Sequence, residues 1–185
     1  MRTLHGIAAL AALAAGGCSH QHGGMHEQMH QHMHGGPGAS VALQPTRGNA
    51  AAGTVTFEQH GDHVMVLARV TGLKPNQEHG FHVHEKGDCS SPDGTSAGGH
   101  YNPTGKPHGP PDGEHHAGDM PSLKADATGK AEARFHLMGV SVGAGAADLV
   151  GRGVIVHADP DDYRTQPAGN AGGRIACGVI QASSR

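Results

Sequence analysis

From Val41 onward the apolar residues recur at every second position in short runs, the period of half-buried strands and not of helices. The run "GTVTFEQHGDHVMVLARVTGL" (53–73) alternates twice, and Gly61-Asp62 between its halves marks a tight hairpin. Further short runs, "EHGFHVHE", "KAEARFHLMGV", "RGVIVHAD" and "GRIACGVIQA", are bounded by turn residues and read as strands. No stretch of the domain keeps helical spacing over ten or more residues. Two Gly/Pro/Asp-rich stretches, about 85–122 and 158–173, interrupt the strands. Loops of that length are usually functional or pinned by something. The pattern predicts an all-β sandwich or barrel with two large loops.

The first forty residues have a different character. "MRTLHGIAALAALAAGGCSH" has one Arg, an apolar run and small residues before Cys18, the layout of a bacterial export signal over 1–18. Two outcomes stay open for Cys18: lipidation, with the chain anchored to the membrane, or cleavage near the Ala-Leu-Ala at 12–14, which leaves an unpaired thiol. Residues 19–40 lack apolar periodicity and read as a disordered His/Met-rich tail, with the globular domain over 41–185. In the tail His22, His26, His30 and His34 recur every fourth residue, as do Met25, Met29 and Met33, with His20 and His32 beside them. Imidazoles hold Cu(II) or Zn(II) and thioethers favour Cu(I), so the tail is a candidate accessory metal-binding segment. A flexible polar spacer is the plainer reading.

Composition sharpens this picture. The chain has 185 residues, no Trp and only 3% aromatics, so its core must be aliphatic and thin and calls for staples. After Cys18 the remaining cysteines are Cys89 and Cys177, an even pair that reads as a disulfide in an oxidising compartment such as the periplasm. A net charge of -3 offers no basic footprint for nucleic acid. The unusual count is 18 His, which points to transition-metal chemistry.

In "GFHVHE" the alternation sends Phe81 and Val83 to one face of a strand and His82 and His84 to the other, placing two metal donors side by side. Alone, such a pair is more often a solvated surface feature. The following loop adds His100, His108, His115, His116 and Asp119, and a later strand ends in His157. So apolar-poor a loop cannot order itself by packing, and a metal is the simplest agent that would.

The segments "GFHVHE", "GGHYNP", "HHAGD", "VIVHADPDD" and "GNAGGRIACGVI", in that order, resemble the signature segments of the copper/zinc superoxide dismutase family, bacterial periplasmic type. The resemblance runs from about residue 50 to the C-terminus and implies a Greek-key β-barrel of immunoglobulin-like architecture, for which the family is a stock example. It also implies copper held by His82, His84, His100 and His157, and zinc by His100, His108, His116 and Asp119, with His100 bridging the two. His115 competes with His116; the latter keeps a spacing of three to Asp119. Asp161 would bond the outer nitrogens of one copper and one zinc histidine. Arg174 would attract and orient the anionic substrate, with Lys106, Lys124 and Arg164 as further candidates for steering. Cys89 and Cys177 match the family disulfide.

The implied reaction is 2 O2•⁻ + 2 H⁺ giving O2 and H2O2, with His100 as both ligand and proton carrier. The alternatives are a non-catalytic copper/zinc binding or delivery protein, and a metal-buffering lipoprotein whose working part is the tail. A chain that had lost catalysis would lack a copper ligand or the arginine, and none is missing. His60, His63, His79 and His136 match no ligand position and read as ordinary surface or turn histidines. The sequence leaves monomer and homodimer open.

Overall fold

The computed structural model describes residues 36–183. Cys18, His20, His22, His26, His30, His32 and His34, and Met25, Met29 and Met33, with the expectations attached to them, lie outside the described residues. Ten strands follow in order: β1 Gly38–Pro45, β2 Ala52–His60, β3 His63–Thr71, β4 Glu78–His79, β5 Phe81–His84, β6 Leu123–Lys124, β7 Ala131–Met138, β8 Gly153–His157, β9 Arg174–Val179 and β10 Gln181–Ala182. Among the described residues the one helical element is a short 3₁₀ turn, Thr95–Ala97. The two long connections fall at 85–122 and 158–173, as the sequence pattern predicts. A third, 139–152, carries the chain from β7 to β8.

The hydrogen-bonded order is β5-β8-β9-β1-β2-β3-β7, with β10 on β1 and a separate β4-β6 pair. Strand β1 joins the two halves of the curl: Gly38 to Leu43 pair with β2, and Gln44 and Pro45 pair with β9. Strand pairing therefore begins before residue 41, where the sequence places the start of the domain. Ser40 pairs with Thr56, and Gly36 N already donates to Gln59 O at 3.0 Å. "GASVALQP" opens on the small residues Gly38, Ala39 and Ser40, and Ala39, Val41 and Leu43 all point inward.

Alternation builds the core. Val55 and Phe57 of β2, and Val64, Val66, Ala68 and Val70 of β3, are buried, while Thr54, Glu58 and Arg69 between them are exposed. The β2–β3 register is closed by the pair His60/His63 across Gly61-Asp62, with the left-handed φ of 58° at Gly61, where glycine has no Cβ to clash. Phe81 meets Phe135 edge-on, the ring centroids 6.5 Å apart. Each buried Val, Leu or Phe contributes about 1.5–3 kcal/mol.

The other half of the curl differs. All of β5 and all of β8 are buried on both faces, because the long loops lie over their outer side. The 85–122 loop pairs with the free edge of β5: Val83 N donates to Gly118 O at 2.8 Å, Tyr101 N to Val83 O at 2.8 Å, and Glu85 N to Gly99 O at 2.9 Å. Metal is thus not the loop's sole means of order. A Cys89–Cys177 disulfide, with a Cα–Cα distance of 5.8 Å, fixes its start to β9. The bridge closes a span of 88 residues. By chain entropy, replacing both cysteines with serine should lower unfolding free energy by about 4 to 5 kcal/mol, less any relaxation. Equilibrium denaturation of the parent and the Cys89→Ser/Cys177→Ser variant measures it, and equal midpoints would refute the staple.

Candidate metal centre

Strand β5 carries His82 and His84 on its loop-facing side, the irregular end of β8 supplies His157 and the loop supplies His100. The ladder between β8 and β9 shifts register at Val156/His157, which re-aims the histidine out of the regular pleat. His100 reaches the site through an antiparallel bridge to His84, and Asp119 through one to His82. The donor atoms of His82, His84, His100 and His157 lie within 4.8 Å of one another, and so do those of His100, His108, His116 and Asp119. All seven residues are buried, and His100 belongs to both groups.

The tautomers follow from the acceptors behind the rings. His84 Nδ1 donates to Gly98 O at 3.0 Å, His157 Nδ1 to Gly172 O at 3.3 Å, and His82 Nε2 to Asp161 Oδ2 at 2.6 Å. A carbonyl or carboxylate can only accept, so the proton sits on that nitrogen and the opposite one keeps its lone pair. Those opposite nitrogens, His82 Nδ1, His84 Nε2 and His157 Nε2, together with His100 Nε2, are buried with no hydrogen-bond partner. Orphaned buried acceptors are costly, and four converging on one point fit a metal that takes imidazoles. The second group is a carboxylate among three Nδ1 atoms. Asp119 Oδ1 stands 2.7 Å from His100 Nδ1 and 3.3 Å from His116 Nδ1, and Oδ2 2.9 Å from His108 Nδ1. Three nitrogens and one carboxylate are a tetrahedral zinc set.

Asp161 lies behind both groups. Its Oδ2 accepts from His82 and its Oδ1 from His108 Nε2 at 2.9 Å, and Oδ1 also accepts from Tyr163 N at 2.7 Å. Burial alone would raise its pKa, but these donors outweigh burial and hold the carboxyl well below the usual carboxylate range. Asp119 is likewise held down by His100 and His108 against the effect of burial. Burial pushes His82 down to about 4 and His157 to about 3, and His84 well below its ordinary value. All three are neutral donors at pH 7. For His108 the bonds to Asp119 and Asp161 overcome burial and raise it to about 9.

Arg174, half-buried, donates from Nη1 to Gly94 O at 2.7 Å and from Nη2 to Gly98 O at 2.6 Å. It lines a cleft of about 310 Å³ with Arg47, Asn49, Asp93 and Gly172. Arg47 carries no sequence signal, because only the fold brings residue 47 beside residue 174. Of the proposed steering charges, Lys124 is paired with Glu78 at 2.9 Å. His115 turns away from the clusters and its Nδ1 donates to the His116 carbonyl. His79, expected at the surface or in a turn, is instead 1% exposed, with Nδ1 donating to His157 O at 2.8 Å. Adjacency of His79 to the metal strand in "EHGFHVHE" was the available signal.

An all-β barrel with two buried donor groups sharing one histidine, beside a cationic cleft, defines a binuclear metalloprotein. The family model described as copper/zinc superoxide dismutase (SODC) matches residues 51–180. A Cu-Zn superoxide dismutase of Paramecium bursaria Chlorella virus 1 is 43% identical over 136 residues, 69% of this chain and 71% of its own length. One from Aquifex aeolicus (strain VF5) is 44% identical, covering 64% of this chain and 72% of its own. The crystal structure of the clock protein EA4 is 37% identical with a TM-score of 0.71, covering 79% of this chain and 94% of that one. The chain belongs to the copper/zinc superoxide dismutase family. It is an oxidoreductase that converts superoxide to O2 and H2O2, with copper and zinc as cofactors.

The Asp161 bridge can be tested through a residue that touches no metal. Gly169 has φ 65°, and a Cβ there would strike Asp161 Oδ1 and come within 2.6 Å of His108 Nε2. Gly169→Ala should weaken zinc and copper retention about 10- to 100-fold, the usual cost of losing a partner behind metal ligands. Metal content after dialysis against a graded chelator measures this, and unchanged retention would show that the bridge does not set affinity.

Proposed function

We propose that His82, His84, His157 and the Nε2 of His100 hold the copper, and that His108, His116, Asp119 and the Nδ1 of His100 hold the zinc. The shared position of His100 carries this reading. Its two ring nitrogens face the two groups, Nε2 without a partner and Nδ1 beside Asp119. When bound, copper supplies the one-electron exchange with superoxide, and zinc fixes the charge and orientation of its ligands. Everything else falls to the chain. His100 takes up and gives back a proton at Nε2, the nitrogen on the copper side, so the proton needed to form H2O2 is delivered where the substrate reacts.

Arg174 draws the anion down the cleft and orients it with the forked guanidinium. Burial lowers its pKa from the ordinary arginine value, which leaves a fixed cation at neutral pH. Gly94 O and Gly98 O hold it, so its position is set by the loop that the disulfide anchors. Arg47 adds a second positive charge at the same cleft, and Asp93 opposes both. Superoxide crosses lipid poorly, so an enzyme exported by the signal at 1–18 would protect the cell envelope, and the His/Met-rich segment at 20–34 would collect copper there. Lipidation at Cys18 would hold the enzyme at the membrane. Export is checked by fractionating the source cells.

Two outcomes test this assignment. Arg174→Ala in metal-loaded protein should lower kcat/KM for superoxide about 10- to 100-fold and flatten its dependence on ionic strength, with copper and zinc contents unchanged. An undiminished rate in pulse radiolysis would remove the steering role. Stripping both metals should also lower the melting temperature, because metal bound to the native state adds directly to its stability. Calorimetry of apo and loaded protein reads this; equal melting temperatures would contradict ligation by buried residues.

A further inference from the structure

Outside the buried groups, the described residues bring imidazoles close together in one other place, the outer face of the β2-β3-β7 sheet near the 61–62 turn. Two registers stack there. His60, His63 and Met138 form one row across the three strands, and Glu58, Met65 and His136 form the next. The rings of His63 and His136 are 4.7 Å apart between centroids, edge to face, and those of His60 and His63 are 5.9 Å apart and stacked. Ring pairs within the buried groups span 4.0 to 6.3 Å, and the two neighbouring pairs at the surface, His60/His63 and His63/His136, fall in the same range. His60 and His136 are exposed, and Met138, at 58%, is the one large hydrophobic of the described residues left in solvent.

We propose that His60, His63 and His136, with the Met138 thioether beside them, form a surface site for a copper ion, separate from the buried pair. Imidazoles suit Cu(II) and a thioether suits Cu(I), and the row supplies both kinds of donor on one rigid face. Holding the rings on neighbouring strands raises their effective concentration for a second and third bond once the first has formed. The rings do not meet at one point as they stand, and the site requires the side chains to turn toward one another, a rotamer change that exposed side chains make within nanoseconds. The surrounding charge favours a cation. Glu58 lies 3.4 Å from His60 Nε2 and Asp62 3.1 Å from His63 Nδ1. On the same sheet Arg134 donates from Nε to Met65 Sδ at 3.4 Å. That contact occupies Met65, and the thioether left free is that of Met138.

The experiment is a difference measurement on the full chain with its buried copper and zinc in place. Parent and His63→Gln/His136→Gln protein are dialysed against buffered Cu(II) with excess free imidazole as competitor, and copper per chain is counted. The N-terminal His/Met segment contributes equally to both and cancels. The parent should retain about one more copper than the double variant. Superoxide activity should be equal in the two, since neither substitution touches the buried groups. Equal copper retention would overturn the site. Under ascorbate, Met138→Leu should retain less Cu(I) than the parent, and equal retention would remove the thioether from it. All three positions lie on the outer face of the sheet, and matching melting temperatures confirm that each variant is folded.

Discussion

Strand β5 must be covered on both sides, and the rest of the structure depends on how that is done. Phe81 and Val83 are fully buried on the barrel side, and His82 and His84, 0% and 1% exposed, are buried on the other. Imidazoles out of water need partners for both ring nitrogens. The loops that exclude solvent therefore also have to supply acceptors, and they do so with Gly98 O, Gly172 O and the Asp161 carboxylate. Each acceptor satisfies one nitrogen and directs the other lone pair inward. The metal-binding property of the site follows from the way its histidines are desolvated.

The same constraint explains why the loop does not depend on metal alone for its order. Ordering the 85–122 loop on metal alone would set the whole conformational cost against a few coordinate bonds. Here the loop already has backbone pairing along the edge of β5, a disulfide at Cys89 and the Asp119 carboxylate bonded to His116 N at 2.9 Å. Burial keeps His82, His84 and His157 unprotonated well below pH 7, so no proton must leave these donors when metal binds.

Much of this was legible in the sequence wherever a local rule applied. Period-two alternation marks β2, β3, β7 and the apolar face of β5, and the limits of the two long loops follow from Gly, Pro and Asp content. The histidines and Asp119 that the motif resemblance selects are the ones brought together, and Asp161 stands between His82 and His108. What stayed hidden depends on contacts distant in sequence. Strand β1 starts in small residues, and its bridging of two half-sheets shows only in its pairing with β2 and β9. His79 looks like a turn residue until β4 and β5 are seen to kink apart at Gly80. Arg47 and the His60/His63/His136 row become neighbours of anything relevant only through strand register, and no spacing along the chain encodes that.

Gly98 shows how closely Arg174 and the buried histidines are joined. Its carbonyl accepts from both His84 Nδ1 and Arg174 Nη2, so one oxygen fixes a buried ring and the cation of the cleft. The residue has φ 74°, and a Cβ there would collide with the Glu85 side chain, so glycine alone presents the carbonyl in this direction without strain. The preceding loop is tied to β9 through Cys89–Cys177, and β9 begins with Arg174 itself. Movement of the loop would shift the guide and the ligand together. The chain thereby keeps the guanidinium at a fixed distance from the imidazoles, which independent supports for the two groups would not guarantee; under the proposed function this holds anion capture in register with the metal.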